Sequence, residues 1–136
     1  MDFDPRSDYP LGSRRPDLVS TPAGTPLERL TLEALCDERI DSSELRTSAE
    51  TLRRQSAIAR AAGRPELADN LERAAELVAV PDDVILEVYT ALRPCRSTAS
   101  ELGELADRLE SGYGAGLVAA FVRDAAAAYA GRGLIR

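Results

Sequence analysis

The chain has 136 residues, of which 44% are hydrophobic, and a net charge of −6. This length suits one domain, and the acidic balance argues against partners such as nucleic acid or an anionic membrane surface. Two cysteines are too few for a disulfide framework, so we expect a reducing cytoplasm. The longest apolar run near the end, residues 117–122, is too short to span a bilayer.

Residues 1–25 are predicted to form an extended, partly disordered arm. Four prolines interrupt this stretch: Pro5, Pro10, Pro16 and Pro22. They prevent any long helix, and the apolar residues follow no period. Two interpretations compete, a disordered tail and an arm that orders against a partner. We expect a mixed outcome, in which the first several residues are loose and the part from Tyr9 onward, including Leu11, docks on a partner.

Two short helical segments are predicted after the arm. One lies within residues 26–36, where Thr31 can act as the N-cap and Leu32 and Leu35 give an apolar side. The other is a single turn at residues 42–45.

The first longer helix is predicted to start at Thr47, because Thr-Ser-Ala-Glu is a capping box in which hydroxyl and carboxylate each satisfy a backbone N–H. It should end near Ala62, since Gly63 can adopt the left-handed conformation that commonly follows a helix. Its apolar face, with Leu52, Ala59 and Ala62, is shallow and permits close helix approach.

The next helix is predicted to begin at Pro65, since proline is favoured in the first helical turn. Its apolar stripe recurs at helical spacing: Leu67, Leu71, Ala74, Ala75 and Val78.

A short apolar helix bounded by two prolines is predicted in the middle of the chain. Pro81 can open it, and Asp82 and Asp83 place negative charge at the positive end of the helix dipole. Four side chains then share one face: Ile85, Val88, Tyr89 and Leu92. Pro94 disfavours helical geometry at Arg93, so the helix should stop there.

Two further helices complete the predicted fold. A second capping box at residues 98–101 starts a helix that should reach Gly112, with these apolar residues: Leu102, Leu105, Ala106 and Leu109. The last helix should begin near Ala115 and end at Gly131 and Gly133, with another set on one side: Val118, Phe121, Val122, Ala125 and Tyr129. No stretch alternates over strand length, so we predict an all-α fold.

The predicted architecture is about five short helices in a small irregular bundle, preceded by the extended N-terminal arm. The arm takes residues 1–25, and the helical domain takes residues 26–136.

Side chains that usually carry chemistry are scarce. The chain has no histidine, the commonest general base and metal ligand, so Cys36 and Cys95 have no such base to activate them. Asp82 and Asp83 are adjacent on a helix and do not face each other. The glycines of residues 112–116 lack the preceding strand of a phosphate loop. We therefore predict no catalytic, cofactor-binding or metal-binding residue in this chain.

A family resemblance rests on residues 81–94, PDDVILEVYTALRP, followed by Arg96-Ser97. This stretch resembles the central motif of the small (gamma) subunit of adenosylcobalamin-dependent propanediol dehydratase and glycerol dehydratase. Four shorter pieces match the same family in the same order: DYPLGS at 8–13, AETLR at 49–53, RAAEL at 73–77 and AFVR at 120–123. The resemblance covers nearly the whole chain. The central motif is long and specific, and the other pieces are individually weaker.

The resemblance implies a non-catalytic small subunit of a coenzyme B12-dependent diol dehydratase. In that family the large (alpha) subunit is a TIM barrel that dehydrates a 1,2-diol to an aldehyde by a radical mechanism. The medium (beta) subunit helps it clamp the cobalamin, and two such heterotrimers associate. Adenosylcobalamin would therefore be held by the partner subunits and not by this chain.

Five residues are our candidates for the partner interface: Tyr9, Leu11, Tyr89, Arg93 and Arg96. The two arginines flank Pro94, where an ion pair or a hydrogen bond to a partner's backbone is favoured over a free anion.

Some members of this family carry a longer, amphipathic N-terminal extension linked to bacterial microcompartments. Only seven residues precede Asp8 in this sequence, and they form no amphipathic helix. We therefore expect a cytoplasmic protein that does not direct encapsulation itself, and residence in a microcompartment would depend on its partners.

The alternative is a free-standing helical interaction protein, such as an adaptor, without an enzymatic role. Genes for a large and a medium subunit directly upstream would favour the subunit hypothesis over the adaptor. A stand-alone enzyme is disfavoured because the chain has no histidine and no paired acid and base on one face.

Overall fold

The computed structural model describes residues 2–136, and the part that it describes is helical. Seven α-helices follow one another: α1 (Leu11–Arg14), α2 (Leu32–Cys36), α3 (Ala49–Ala61), α4 (Pro65–Leu77), α5 (Asp82–Ala91), α6 (Ala99–Tyr113) and α7 (Gly116–Arg132). Three single turns of 3-10 helix lie before α3: Pro16–Leu18, Leu27–Arg29 and Ser42–Glu44. An isolated β-bridge pairs Ser20 with Pro26, but residues 2–136 contain no β-strand. The all-α prediction is confirmed.

Helices α3 to α7 correspond to the five longer helices predicted from the sequence, with small shifts at their ends. The N-cap of α3 is Ser48 and not Thr47, because the Ser48 hydroxyl accepts the N–H of Thr51 at 3.2 Å. Thr31 caps α2 as predicted. Helix α5 ends at Ala91, two residues before Arg93.

The chain divides into two compact units, one ending at Val78 and the other spanning Ala79–Arg136. The boundary that we predicted between arm and helical domain, at residues 25 and 26, falls inside the first unit. Met1, the first residue of the predicted arm, lies outside the described residues.

In the first unit, α3 and α4 form a helical hairpin around Gly63, whose φ of +73° is the left-handed conformation predicted for it. The hydroxyl of Ser56 donates to the carbonyl of Ala68 at 3.0 Å, and both residues are buried. Every buried residue of these helices is small or polar: Thr51, Ser56, Ala59, Ala68 and Ala75.

The predicted apolar stripe of α4 is right at Ala75, but it omits Ala68 and wrongly includes Leu67. Ala68 is fully buried, whereas Leu67 is 41% exposed and Leu71 is half-buried. Small side chains bring the two helix backbones close together, so the leucines lie at the margin of the interface. In α2, Leu32 is likewise exposed, and Ala34 is the buried residue.

Residues of the predicted arm are hydrogen-bonded to the rest of their own unit. A guanidinium N–H of Arg54, on α3, donates to the carbonyl of Leu18 at 2.6 Å. Arg15 forms ion pairs with Asp8 at 3.1 Å and with Asp17 at 2.9 Å. The peptide bond between residues 9 and 10 is cis.

In the second unit, α6 and α7 form a hairpin with a larger apolar core. Its buried residues include six from the predicted stripes, together with Ala119, which was not predicted: Leu102, Leu105, Ala106, Leu109, Val118 and Val122. The predicted capping box is present, since Thr98 and Glu101 each accept the other's backbone N–H. Phe121 departs from its predicted face and is 48% exposed. Arg123 of α7 pairs with Asp107 and Glu110 of α6, each at 2.7 Å.

Candidate subunit interface

Helix α5 has a narrow buried edge and two large apolar side chains on its exposed side. Val84 and Val88 are buried, and Ile85 is half-buried. Leu86 and Tyr89 are 65% and 74% exposed. The predicted face was therefore displaced around the helix, because α5 is apolar on more than one side and periodicity alone does not say which side packs. An exposed leucine beside an exposed tyrosine is typical of a surface that another protein covers.

The turn that follows α5 is held by the C-terminal residues of the same unit. Cys95 has a φ of +59°, and its N–H donates to the carbonyl of Leu134 at 2.7 Å. The N–H of Arg136 donates to the carbonyl of Ser97 at 3.0 Å. These two bonds fix the backbone on both sides of Arg96.

Two further hydrogen bonds fasten the end of α5 itself. The hydroxyl of Tyr129, on α7, donates to the carbonyl of Leu92 at 2.6 Å. The hydroxyl of Ser97 donates to the carbonyl of Ala91 at 3.0 Å. Both carbonyls belong to the last turn of the helix, where no intrahelical partner remains. The segment is thus a rigid platform and not a loose loop.

Arg93 and Arg96 project from this platform as exposed side chains. Within residues 2–136, neither guanidinium forms an ion pair or a side-chain hydrogen bond. Arginine is enriched in protein interfaces, because its planar fork can hold a carboxylate or backbone carbonyls. Tyr89, Arg93 and Arg96 therefore give the second unit an exposed aromatic side chain and two available cations.

A groove of about 870 Å3 occupies the first unit. It is lined by residues 5–6 and 9–12, by Ile58 and Ala59 of α3 and by Leu67 of α4. Tyr9 and Leu11 both line it, with Tyr9 64% exposed at the margin and Leu11 only 5% exposed. A partner would therefore reach Leu11 only by entering the groove.

The structure thus divides the five candidate interface residues between the two units. Tyr9 and Leu11 share the groove of the first, and the other three lie on or after α5 in the second. Two exposed leucines were not among the candidates, Leu67 and Leu86. The sequence could have indicated Leu86, because it is a large apolar residue that lies outside the predicted buried face of α5.

Groups with shifted pKa values have structural explanations. A hydrogen bond from the backbone N–H of Thr98 lowers the pKa of Glu101, and nearby Arg136 lowers it further. Hydrogen bonds to Asp107 and Glu110 raise the pKa of Arg123. Each shift moves the titration away from neutral pH, which suits caps and ion pairs and not proton transfer.

The described residues offer few ligands for a metal or cofactor. Cys36 and Cys95 are free and exposed. Among residues 2–136, no group of three or more His, Cys, Asp or Glu side chains could hold a metal ion. The same part of the chain has no helix that is long and apolar enough to cross a membrane.

Residues 5–136 match the family model of the dehydratase small subunit. The chain belongs to this family, which confirms the resemblance found in the central motif.

Two relatives are propanediol dehydratase small subunits, from Citrobacter freundii and from Salmonella typhimurium strain LT2. Each is 52% identical to this chain over 126 residues, which cover 93% of this chain and 73% of the relative.

Proposed function

We propose that this chain is the small subunit of a propanediol dehydratase, a hydro-lyase, and that it binds and supports the larger subunits without taking part in the chemistry. The observation that carries the proposal is the 52% identity to two propanediol dehydratase small subunits over 93% of this chain. The exposed, apolar and arginine-bearing surfaces of both units support a role in assembly.

The partners in this proposal are a large (alpha) and a medium (beta) subunit, in a dimer of heterotrimers. They would hold adenosylcobalamin and convert a 1,2-diol to an aldehyde. The lack of histidine in this sequence and the exposed state of both cysteines support placing the cofactor in the partner subunits. The assembly would be cytoplasmic, and its residence in a microcompartment would depend on the partners.

The contact surface that we propose for the second unit is the exposed face of α5 with the turn that follows it. Tyr89 would supply buried apolar area and a hydroxyl at the edge of the contact. Arg93 and Arg96 would bind carboxylates or carbonyls of the partner. Because the platform beneath them is already fastened, little backbone entropy would be lost on binding.

Co-expression of this chain with its candidate partner subunits tests the proposal. We expect a complex that forms aldehyde from propanediol only when adenosylcobalamin is added, and no turnover by this chain alone. Tyr89→Ala should weaken assembly by about 1–3 kcal/mol, the range of an aromatic side chain in an interface centre. Asp124→Ala, at an exposed position of α7 outside the proposed surface, is the control.

Two results would contradict this function. One is turnover of the diol by this chain in the absence of other subunits. The other is a complex of the larger subunits that is equally stable and equally active without it.

A further inference from the structure

The groove of the first unit has a charge that sets it apart from the rest of the chain. The whole sequence carries 23 acidic and 17 basic residues. Among the described lining residues of the groove, two are arginines, Arg6 and Arg64, and none is Asp or Glu. Asp4 lies close enough to Arg6 for their charges to interact, which leaves Arg64 as the cation without a counter-charge.

Arg64 stands at the N-cap position of α4, and its side chain makes no capping hydrogen bond. Within the described part of the chain, its guanidinium has no ion-pair partner. The neighbouring arginine on α3, Arg60, is by contrast paired with Asp69 at 2.8 Å. A lone cation at the positive end of a helix dipole is electrostatically unfavourable, so this position does not serve the stability of α4.

The most buried lining residues of the groove, which we call its floor, are apolar. Ala59 is 6% exposed, Leu11 is 5% exposed, and Leu67 stands at the wall with 41% of its surface exposed. Small side chains at the floor let a partner's backbone approach closely. An apolar side chain entering here would cover Leu67 and leave its flanking residue beside Arg64.

We propose that this groove binds a segment of a partner dehydratase subunit that carries an apolar side chain next to a carboxylate. The apolar side chain would lie on the floor, and the carboxylate would pair with Arg64. The inference rests on the proposed function, because it assumes that the chain acts inside a multisubunit dehydratase. It adds the site on the first unit and the chemistry of the segment that fills it.

Charge substitutions at Arg64 test the inference. Tagged partner subunits are co-expressed with equal amounts of wild-type and variant small subunit, and mass spectrometry of the purified complex measures the ratio retained. We expect Arg64→Glu to be depleted about tenfold and Arg64→Gln less, because loss of one charge partner weakens the contact and reversal adds repulsion. The glutamate also suits the start of α4, so its depletion would not reflect a weaker helix.

Arg53→Glu is the matched control, since Arg53 is an exposed position of α3 that does not line the groove. It changes the net charge equally and should be retained like the wild type. Leu67→Asp is a second groove variant at a partly exposed position, and we expect it to be depleted like Arg64→Glu.

The outcomes distinguish failure of the groove inference from failure of the proposed function. Full retention of Arg64→Glu and Leu67→Asp in a complex that contains the wild type would overturn the groove inference and leave the proposed function intact. Equal depletion of Arg53→Glu and Arg64→Glu would also overturn it, because the effect would then come from net charge. Failure of the wild type to enter any complex would overturn both. Self-association lost in Arg64→Glu, with the hetero-complex unchanged, would assign the groove to a second copy of this chain.

Discussion

The two helical hairpins of this chain differ in the size of the side chains that form their helix–helix contacts. Helices α6 and α7 meet through leucine and valine, and Leu102, Leu109 and Val122 are fully buried between them. Helices α3 and α4 meet through alanine, serine and threonine, and their leucines lie at the margin. The first arrangement buries large apolar area within the hairpin. The second brings backbones close but leaves apolar side chains for something else to cover.

This contrast separates what stabilises the chain from what it offers to a partner. A hairpin with a full apolar core is stable through its own burial. A hairpin joined by small residues gains less from burial and gives the floor of a groove. We expect substitutions in α6 and α7 to change folding, and substitutions at the margin of α3 and α4 to change assembly.

The largest expected effect is loss of a core leucine from the second hairpin. Leu109→Ala should lower the free energy of unfolding by about 2–5 kcal/mol, since it leaves a cavity in a fully buried site. Leu67→Ala, at the margin of the first hairpin, should cost less than about 1 kcal/mol. Urea unfolding followed by circular dichroism measures both, or amide hydrogen exchange in the assembled complex if the free chain does not stay soluble. Equal losses for the two variants would remove the contrast between the hairpins.

The next effect tests the close approach of α3 and α4. Ser56→Val should destabilise the chain by about 1–3 kcal/mol, because the added methyl groups have no room beside Ala68 and the hydrogen bond to its carbonyl is lost. Ser56→Ala keeps the small volume and should cost only about 1 kcal/mol. Unfolding curves of both variants, recorded with the wild type, give the comparison. If valine were tolerated as well as alanine, the helices would not be packed as closely as the structure shows.

The same contrast explains which parts of the fold could be predicted from the sequence. The stripe of α6 was correct because large apolar residues at helical spacing mark a buried face without ambiguity. The stripe of α4 was right at Ala75, but it missed the buried Ala68 and included Leu67, which is exposed. Periodicity identifies apolar residues but does not distinguish a core of small residues from a margin of large ones.

The candidate interface could likewise be predicted only in part from the sequence. Tyr89, Arg93 and Arg96 are exposed, and their choice as contact residues, which drew on the central motif, stays a prediction. The groove could not be derived, because it combines residues 5–12 with α3 and α4, which are distant in sequence. Arg64 gave no sequence signal, since its lack of a counter-charge appears only in three dimensions.

A smaller effect compares the caps of the two hairpins. Thr98→Ala removes the hydroxyl that accepts the Glu101 N–H, which is one half of a complete capping box. It should lower the free energy of unfolding by about 1 kcal/mol, within a range of about 0.5–2 kcal/mol. Ser48→Ala removes a hydroxyl that accepts the N–H of Thr51 and donates to the Thr51 hydroxyl at 2.9 Å, and it should cost a similar amount. Amide hydrogen exchange in the first turns of α6 and α3 measures each loss locally. A loss of much less than about 0.5 kcal/mol for Thr98→Ala would show that this hydroxyl does not stabilise the start of α6.

The smallest effect is the pH dependence that Glu101 gives to α6. Its pKa in the folded chain is lowered, first by the hydrogen bond from the Thr98 N–H and then by Arg136. The stabilisation is therefore present above the ordinary glutamate pKa of about 4.3 and is lost as the pH falls through the lower folded-state value. Glu101→Gln keeps an oxygen that can accept the Thr98 N–H but removes the charge. The stability difference between wild type and variant should thus shrink between about pH 5.5 and pH 3, in unfolding curves recorded at each pH. A difference that stays constant over this range would mean that the charge of Glu101 does not contribute, and that the cap works through its neutral hydrogen bonds alone.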